Sequence, residues 1–507
     1  MSKMDEKHIY DKTVEAGDVS DESSASGGVQ VYRKRWAILV MFVLLSASNA
    51  FQWIEYAIIT DVITAFYGVD SVWVNWTSII YMLNYIPLIL PATWLLDKYG
   101  LRIVVTLGAI GNCVGALIKC FTASPDLFWL TFIGQTIVGS SQIFILGVPP
   151  RLAAVWFGPT QVSTACALGV FGNQLGIAVG FVLPPMLVSG NATSIEQTST
   201  ELFTLFVGSA AVNTIALVLI IFFFAKAPPH APSVAQAQAI LASIEHNYSK
   251  SLKTLLTNRN YILLLLTYGT HKIEKKISHV SCINVGVFYA VSTLLNQTVL
   301  KYYPGENMNV GRIGLLIVLA GMAGSALAGL WLDWTHTFKL TTLAIYLFSF
   351  VGMLVYTFTV DCGHLWVVFL VAGFLGFFMT GYLPIGFEFG AELTYPAAEG
   401  TQSGILNASA QVFGVLMTWG MGYVLEHLSV LTCNLFLSGS LLVGTAITAM
   451  IKSDLRRQKA AAGAVGDYTP MEPGALPTEA STAFLLNDRS QTTLSNEMNH
   501  DQENSHL

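Results

Sequence analysis

The sequence predicts an all-α membrane protein of about twelve transmembrane helices, arranged as two six-helix bundles. Three observations carry that prediction. Of the 507 residues, 53% are hydrophobic and 11% charged, where a soluble domain holds roughly 25% charge. The hydrophobic residues gather into runs of around 20, the length that crosses a hydrocarbon core of about 30 Å as a helix. A short acidic motif then recurs at the same topological point in both halves of the chain.

Residues 1–32 are polar and rich in Ser, Gly, Asp and Glu, without the apolar stretch of a cleavable leader. They read as a disordered cytoplasmic tail. The N-terminal bundle, residues 33–225, holds apolar runs at Trp36 to Ile59, Val72 to Leu96, Ile103 to Phe121, Leu127 to Val148, Thr164 to Val188 and Leu202 to Ala225. Residues 226–260 turn polar, with Pro228, Pro229, Pro232 and several lysines, the composition of an aqueous linker. The C-terminal bundle, residues 261–451, carries a broken run from Tyr261 to Leu300, then Ile313 to Leu332, Leu340 to Val360, Leu365 to Phe387, Ser403 to Leu425 and Leu428 to Ile451. Residues 452–507 form a second polar tail, again expected to be disordered and cytoplasmic.

The break in the seventh run is residues 270–282, an insert holding Lys272, Glu274, Lys275 and Lys276. Each such charge costs roughly 2.5 to 3.5 kcal/mol at a helix centre on insertion scales. Without the insert, Tyr261 to Gly269 joins Ile283 to Leu300 as one uncharged span. The segment therefore reads as a retained intron or gene-model error. The alternative is a genuine loop that breaks span seven on the cytoplasmic side, with His271 and His279 as conceivable metal or haem contacts.

Orientation follows from the loops that hold Lys and Arg. Arg33, Lys34, Arg35, Lys98, Arg102, Arg151, Lys226, Lys250, Lys253, Arg259, Lys339, Lys452, Arg456 and Arg457 all fall on the cytoplasmic side if the N-terminus is inside. An even number of spans then puts both termini in the cytosol, with the plasma membrane as the expected location. It also places the Asn191-Ala-Thr193 sequon outside, as a glycosylation candidate. The net charge of −6 resides mainly in the tails, and no basic surface suits nucleic acid. The six cysteines form no CxxC pair, so neither a metal site nor a redox centre is expected, and no cofactor or catalytic residue is assigned.

Polar residues interrupt the spans in stripes at helical spacing. Asn49, Trp53 and Tyr56 share a face of span one; Gln135, Gly139 and Gln142 one of span four; Gly286, Tyr289, Thr293 and Asn296 one of span seven; Asn407, Gln411, Gly414 and Thr418 one of span eleven. Such residues either line a central path near the midplane or bond helix to helix. Four converging stripes favour the path. The spans hold almost no Lys or Arg away from their ends, so an anionic substrate lacks a counter-charge. Trp and Tyr faces attract a poorly hydrated ammonium ion and Gln bonds a hydroxyl, a combination that suits choline-like molecules.

Thr93-Trp-Leu-Leu-Asp97-Lys98-Tyr-Gly-Leu-Arg102 closes span two, and Gly329-Leu-Trp-Leu-Asp333 closes span eight. This repeat resembles the Gly-xxx-Asp-Arg/Lys signature of the major facilitator superfamily. The resemblance implies the major facilitator fold and casts Asp97, Lys98, Arg102 and Asp333 as a conformational latch. Thr93 departs from the family's Gly, and no basic residue directly follows Asp333, so a solvated loop carboxylate is the other reading.

Longer motifs sharpen the resemblance. Asn49-Ala-Phe-Gln-Trp53, Phe66-Tyr-Gly-Val69, Pro91-Ala-Thr-Trp-Leu-Leu-Asp97, Ala154-Val-Trp-Phe-Gly-Pro159, Gly172-Asn-Gln-Leu-Gly176, Ser292-Thr-Leu-Leu-Asn-Gln297 and Gly376-Phe-Phe-Met-Thr-Gly-Tyr-Leu-Pro384 are similar to the feline leukaemia virus subgroup C receptor-related transporters. The likeness runs from about Arg33 to Arg457. It implies facilitated, alternating-access transport of choline and ethanolamine, in a family also described as haem exporters or importers. Carried over by motif, the implied substrate site is Trp53, Gln142, Tyr289 and Gln411. Trp53 and Tyr289 would cage the ammonium; Gln142 and Gln411 would fix the hydroxyl end or join the gates. Asn49, Tyr56, Glu55, Asn296 and Asn407 stand as cavity or gating candidates.

Glu55 occupies a position where relatives have Gln, about 200° around the helix from Trp53. It reads as a neutral or paired carboxylate near the outer interface, or as an extra anion that favours entering cations. Gly- and Pro-rich stretches such as Gly172 to Pro185 are expected to permit bends during rocking. The rival readings are haem transport and a membrane receptor without transport.

Overall fold

The computed structural model describes residues 32–158, 161–189, 194–229, 283–335, 337–394 and 399–450. Both tails, nearly all of the expected linker, the 270–282 insert and Asn191 lie outside the described residues. What is described is helical: α1 Lys34–Ile54, α2 Thr60–Tyr67, α3 Ser71–Tyr99, α4 Leu101–Cys120, α5 Phe128–Leu146, α6 Val148–Trp156, α7 Val162–Leu187, α8 Ile195–Phe223, α9 Ile283–Leu300, α10 Asn307–Thr335, α11 Phe338–Thr359, α12 Leu365–Thr394, α13 Glu399–His427 and α14 Val430–Met450. Eleven spans among the described residues are long and apolar enough to cross a membrane. Helix α9 is the described part of the expected span seven.

Several helices outrun the apolar stretches that predict them. Helix α8 starts at Ile195 rather than Leu202, capped by Ser194, whose side chain accepts from the Gln197 amide at 3.2 Å. Helix α10 starts at Asn307 and α12 runs to Thr394. Hydropathy marks where the chain meets hydrocarbon. The backbone ladder continues into the interface until a cap or turn stops it.

The first expected span departs most from a single rod. Helix α1 ends at Ile54; Glu55 and Tyr56 form a turn, Ala57–Ile59 a 3-10 turn, and α2 resumes at Thr60. The junction between α3 and α4 is the single residue Gly100 at φ +79°. A side chain there would be strained and would press on Lys226.

The packing repeats in the two halves. In the first, α1 pairs with α7, α3 with α5, α5 with α4, and α4 with α8. In the second, the equivalent helices pair in the same way: α9 with α13, α10 with α12, α12 with α11, and α11 with α14. Across the halves, α3 packs on α13 and α7 on α10. Small residues set the close crossings, as membrane helices without a hydrophobic driving force require. Gly172, Gly176 and Gly180 of α7 face Val43, Ala47 and Ile54 of α1, and a methyl at Gly176 would overlap the Ala47 carbonyl. The glycines expected to permit bends thus serve contact with α1, and α7 is assigned as one helix throughout.

Large apolar side chains lie on the outside, while a set of polar ones is enclosed within the packed interior. Leu330, Trp331, Trp366, Leu370 and Phe222 are exposed, whereas Asn49, Asn112, Gln135 and Lys119 are fully buried. That inversion suits a lipid solvent.

Candidate functional site

Trp53 lies in the last turn of α1, and its carbonyl accepts from the Ser78 hydroxyl of α3 at 3.0 Å. Tyr289 comes from α9 in the other half. Their rings meet edge-on, with centroids 5.4 Å apart and planes at 74°. Gln411 of α13 donates from Nε2 to the Tyr289 hydroxyl at 3.2 Å. Gly414, three residues on, leaves space for the Tyr289 ring, since a methyl there would strike that ring and the Met82 sulfur. Trp53 is 3% exposed and Gln411 2%. Two ring faces near a right angle form a corner, and the amide stands beside one wall of it. An ammonium within about 6 Å of both rings gains from each quadrupole, and the amide is left to meet a hydroxyl.

Gln142 of α5 is buried, and its Oε1 has no hydrogen-bond partner among the described residues. The next residue, Ile143, packs with Tyr85 and Ile89 of α3 and with Ala408 of α13. Asn407, one turn before Gln411, is buried as well. Trp53, Tyr289 and Gln411 are therefore brought together; Gln142 is not hydrogen-bonded to them.

Other stripe members turn away. Asn49 donates to the Asn112 side chain at 3.0 Å and to the Val138 carbonyl at 3.2 Å. Asn112 in turn donates to Asn213 and, at 3.1 Å, to Ser48. Tyr56 packs on Phe206 with ring centroids 5.7 Å apart. Both residues belong to the interior of the first half, as the helix-bonding reading of the stripe has it. Glu55 is a paired carboxylate and not a free anion. Its carboxylate is paired with Lys119 of α4, and both side chains have no exposure. Lys119 escaped the sequence reading because it stands near a span's end. The signal was present: it lies at the end of span three away from Lys98 and Arg102, facing a lone carboxylate in an apolar run.

Asn296 does bridge the halves. Its Nδ2 donates to the Ile58 carbonyl at 2.8 Å, to Asp61 Oδ1 at 3.2 Å and to Asn307 Oδ1 at 3.2 Å. Asn307 donates to the other Asp61 oxygen at 2.9 Å, and Gln297 to Asn75 at 2.7 Å. Nearby, Gly311 and Gly314 of α10 press against Phe181 of α7. These contacts share one membrane face, at the C-terminal ends of α7 and α9 and the N-terminal ends of α3 and α10. The halves are closed together there. Asp61 was missed in the sequence because it lies just beyond the first apolar run.

The latch candidates occupy equivalent helix ends, Asp97 near the end of α3 and Asp333 near the end of α10. Both carboxylates lie outside the described side chains. Arg102 reaches the Ile221 carbonyl of α8 at 3.1 Å, within its own half. Lys98 Nζ sits 4.6 Å from the Trp94 ring centroid. Among the described residues no group of three or more His, Cys, Asp or Glu could hold a metal ion.

Residues 37–418 match the family model described as Major Facilitator Superfamily. A zebrafish protein named "Choline/ethanolamine transporter flvcr2a" is 51% identical over 440 residues, covering 87% of this chain and 91% of that relative. The human "Choline/ethanolamine transporter FLVCR2" is 48% identical over 433 residues, covering 85% of this chain and 80% of its own. An uncharacterised MFS-type transporter of Caenorhabditis elegans, C09D4.1, is 57% identical, covering 85% and 71%. Among solved structures, a D-xylose-proton symporter superposes with a TM-score of 0.58 at 12% identity, covering 83% of this chain and 98% of that one. The transporter FucP, in its outward conformation, gives 0.57 at 15% identity, covering 83% and 100%. At such identities these structures bear on the fold alone.

Proposed function

Because the chain belongs to the major facilitator superfamily and, within it, to the FLVCR family, we propose that it carries choline and ethanolamine across a membrane through the corner formed by Trp53, Tyr289 and Gln411. It is a multi-pass membrane transporter and not an enzyme. The observation that carries the substrate reading is the edge-on pair of rings contributed by both halves, with an amide bonded to one of them. A site split between the halves suits alternating access, since rocking one half against the other loads or empties it.

On this reading the closed face bearing Asp61, Asn296 and Asn307 is extracellular and both termini are cytoplasmic. The Lys and Arg asymmetry supports that orientation. The protein works at the plasma membrane with Asn191 as a glycan acceptor. Asp97, Lys98, Arg102 and Asp333 act at the cytoplasmic ends when that side closes. Gln142, with its unpartnered oxygen, is the remaining candidate for the substrate hydroxyl. Residues 33–225 and 261–451 are the two rocking bundles. Haem is disfavoured: neither a Lys nor an Arg stands among Trp53, Tyr289, Gln411 and Gln142 to pair with propionates.

The test is uptake of labelled choline by cells expressing this chain, with and without residues 270–282, beside Trp53→Ala. Saturable uptake that ethanolamine competes and Trp53→Ala abolishes supports the carrier. Uptake absent from both versions at normal surface level overturns it.

A further inference from the structure

Among the described residues Glu55 and Lys119 form the ion pair of the first half, and the transport reading leaves both unused. Each side chain is fully buried. Packed apolar residues often serve stability as well as a buried ion pair does, so stability is a weak reason for this pair. Its position is more informative. Upstream of the break in the first span stands Trp53. Downstream stand Ile58 and Asp61, which accept from Asn296 across the halves. The break thus separates the substrate ring from the outer closure.

A helix that stops leaves carbonyls without partners. Here they are taken up by neighbours. The Gln52 carbonyl accepts from Gln135 Nε2 of α5 at 2.9 Å, and the Trp53 carbonyl accepts from Ser78. Gln135 is itself held: its Oε1 accepts from Lys119 at 3.1 Å and from the Tyr81 hydroxyl at 3.1 Å. Lys119 therefore bonds the residue that opens the break, Glu55, and the residue that caps the helix just before Trp53, Gln135.

We propose that the Glu55–Lys119 pair, acting with Gln135, is a positioning device that holds the first span broken after Ile54 and so sets the Trp53 ring against Tyr289. The pair touches no substrate. It determines how well the corner fits an ammonium ion, and so rests on the proposal that Trp53 and Tyr289 bind that ion.

The test compares Glu55→Asp, Lys119→Arg, Gln135→Leu and the Lys119→Arg/Gln135→Leu double variant for choline KM and for maximal rate per transporter at the cell surface. Each single variant is expected to raise KM roughly three- to tenfold while maximal rate stays within about twofold. The double variant is expected to add little, because both substitutions loosen one linked device. An unchanged KM, with only surface level reduced, overturns the proposal in favour of a purely structural pair. Independent, multiplying effects also overturn it. Should the unmodified chain take up no choline, the transport reading falls by itself. Amide exchange of purified protein then judges the pair: Lys119→Arg should speed exchange around residues 54–57 at least severalfold, and unchanged protection there refutes it.

Discussion

Trp53 and Tyr289, 236 positions apart, place their rings edge-on at 5.4 Å between centroids. Neither half alone contains the corner. A cation held there is held by both halves, and any movement that separates them takes the site apart. Cation–π contacts of this kind contribute about 0.5 to 2 kcal/mol each as desolvation increases. Trp53→Ala and Tyr289→Ala should each raise the choline KM at least severalfold, and Trp53→Phe by less. Leu330→Ala, on the exposed surface, is the control and should leave KM unchanged.

Tyr289→Phe isolates the hydroxyl. It keeps the ring and removes the acceptor that orients Gln411. A hydrogen bond of this sort is worth about 0.5 to 1.5 kcal/mol net, so the choline KM should rise roughly two- to tenfold. Tetramethylammonium has no hydroxyl for Gln411 to meet, and its potency as a competitor should not change. Equal losses for both cations would mean that the phenol supports the ring rather than the amide.

Closure of the face around Asp61 depends on a glycine. A side chain at Gly314 would enter the Phe181 ring, and overpacking of this kind costs about 1 to 3 kcal/mol. The penalty falls on the closed state, so Gly314→Leu should favour opening at that face. Uptake should drop while surface level persists. A cysteine placed at Thr293, which is fully buried here, should become open to a membrane-impermeant thiol reagent from outside. Unaltered labelling together with normal uptake would contradict this reading of the contact.

How far the sequence carries is clearest along the first span. Apolar runs located the helices because lipid demands apolar surface, yet they misjudged ends such as Ile195 and Thr394, where the ladder continues in the interface. Of the four residues the motifs implied, Trp53, Tyr289 and Gln411 lie in contact and Gln142 is not hydrogen-bonded to them. On α13, which is regular around Gln411, the 3.6-residue period puts Gln411 and Gly414 on the one face that meets Tyr289. Tyr56 takes the Trp53 face only if the period is extended through Glu55 and Tyr56, where the α-helix is interrupted. Asn49 lies on regular helix, but at the edge of the stripe that faces Asn112 and Val138. Periodicity gives a face, not the neighbour it meets. Lys119 needed a different signal, an exception to the charge asymmetry of the loops, which reports a charge held by the protein rather than by water.

The charge of the site sets its response to membrane potential. Trp53, Tyr289, Gln411 and Gln142 are neutral side chains, and the carboxylate nearest Trp53 in sequence, Glu55, is already paired with Lys119. A monovalent cation then crosses with its own charge uncompensated, and the potential acts on it with about 2.3 kcal/mol per 100 mV. That is roughly a fiftyfold bias at equilibrium toward a cytosol at negative potential, without a coupling ion. Depolarising cells with external potassium should slow initial choline uptake severalfold, and choline should evoke an inward current in voltage-clamped cells expressing the chain. Uptake indifferent to potential would instead require a counter-transported cation, and the electroneutral exchange would then show as release of preloaded choline when external choline is added.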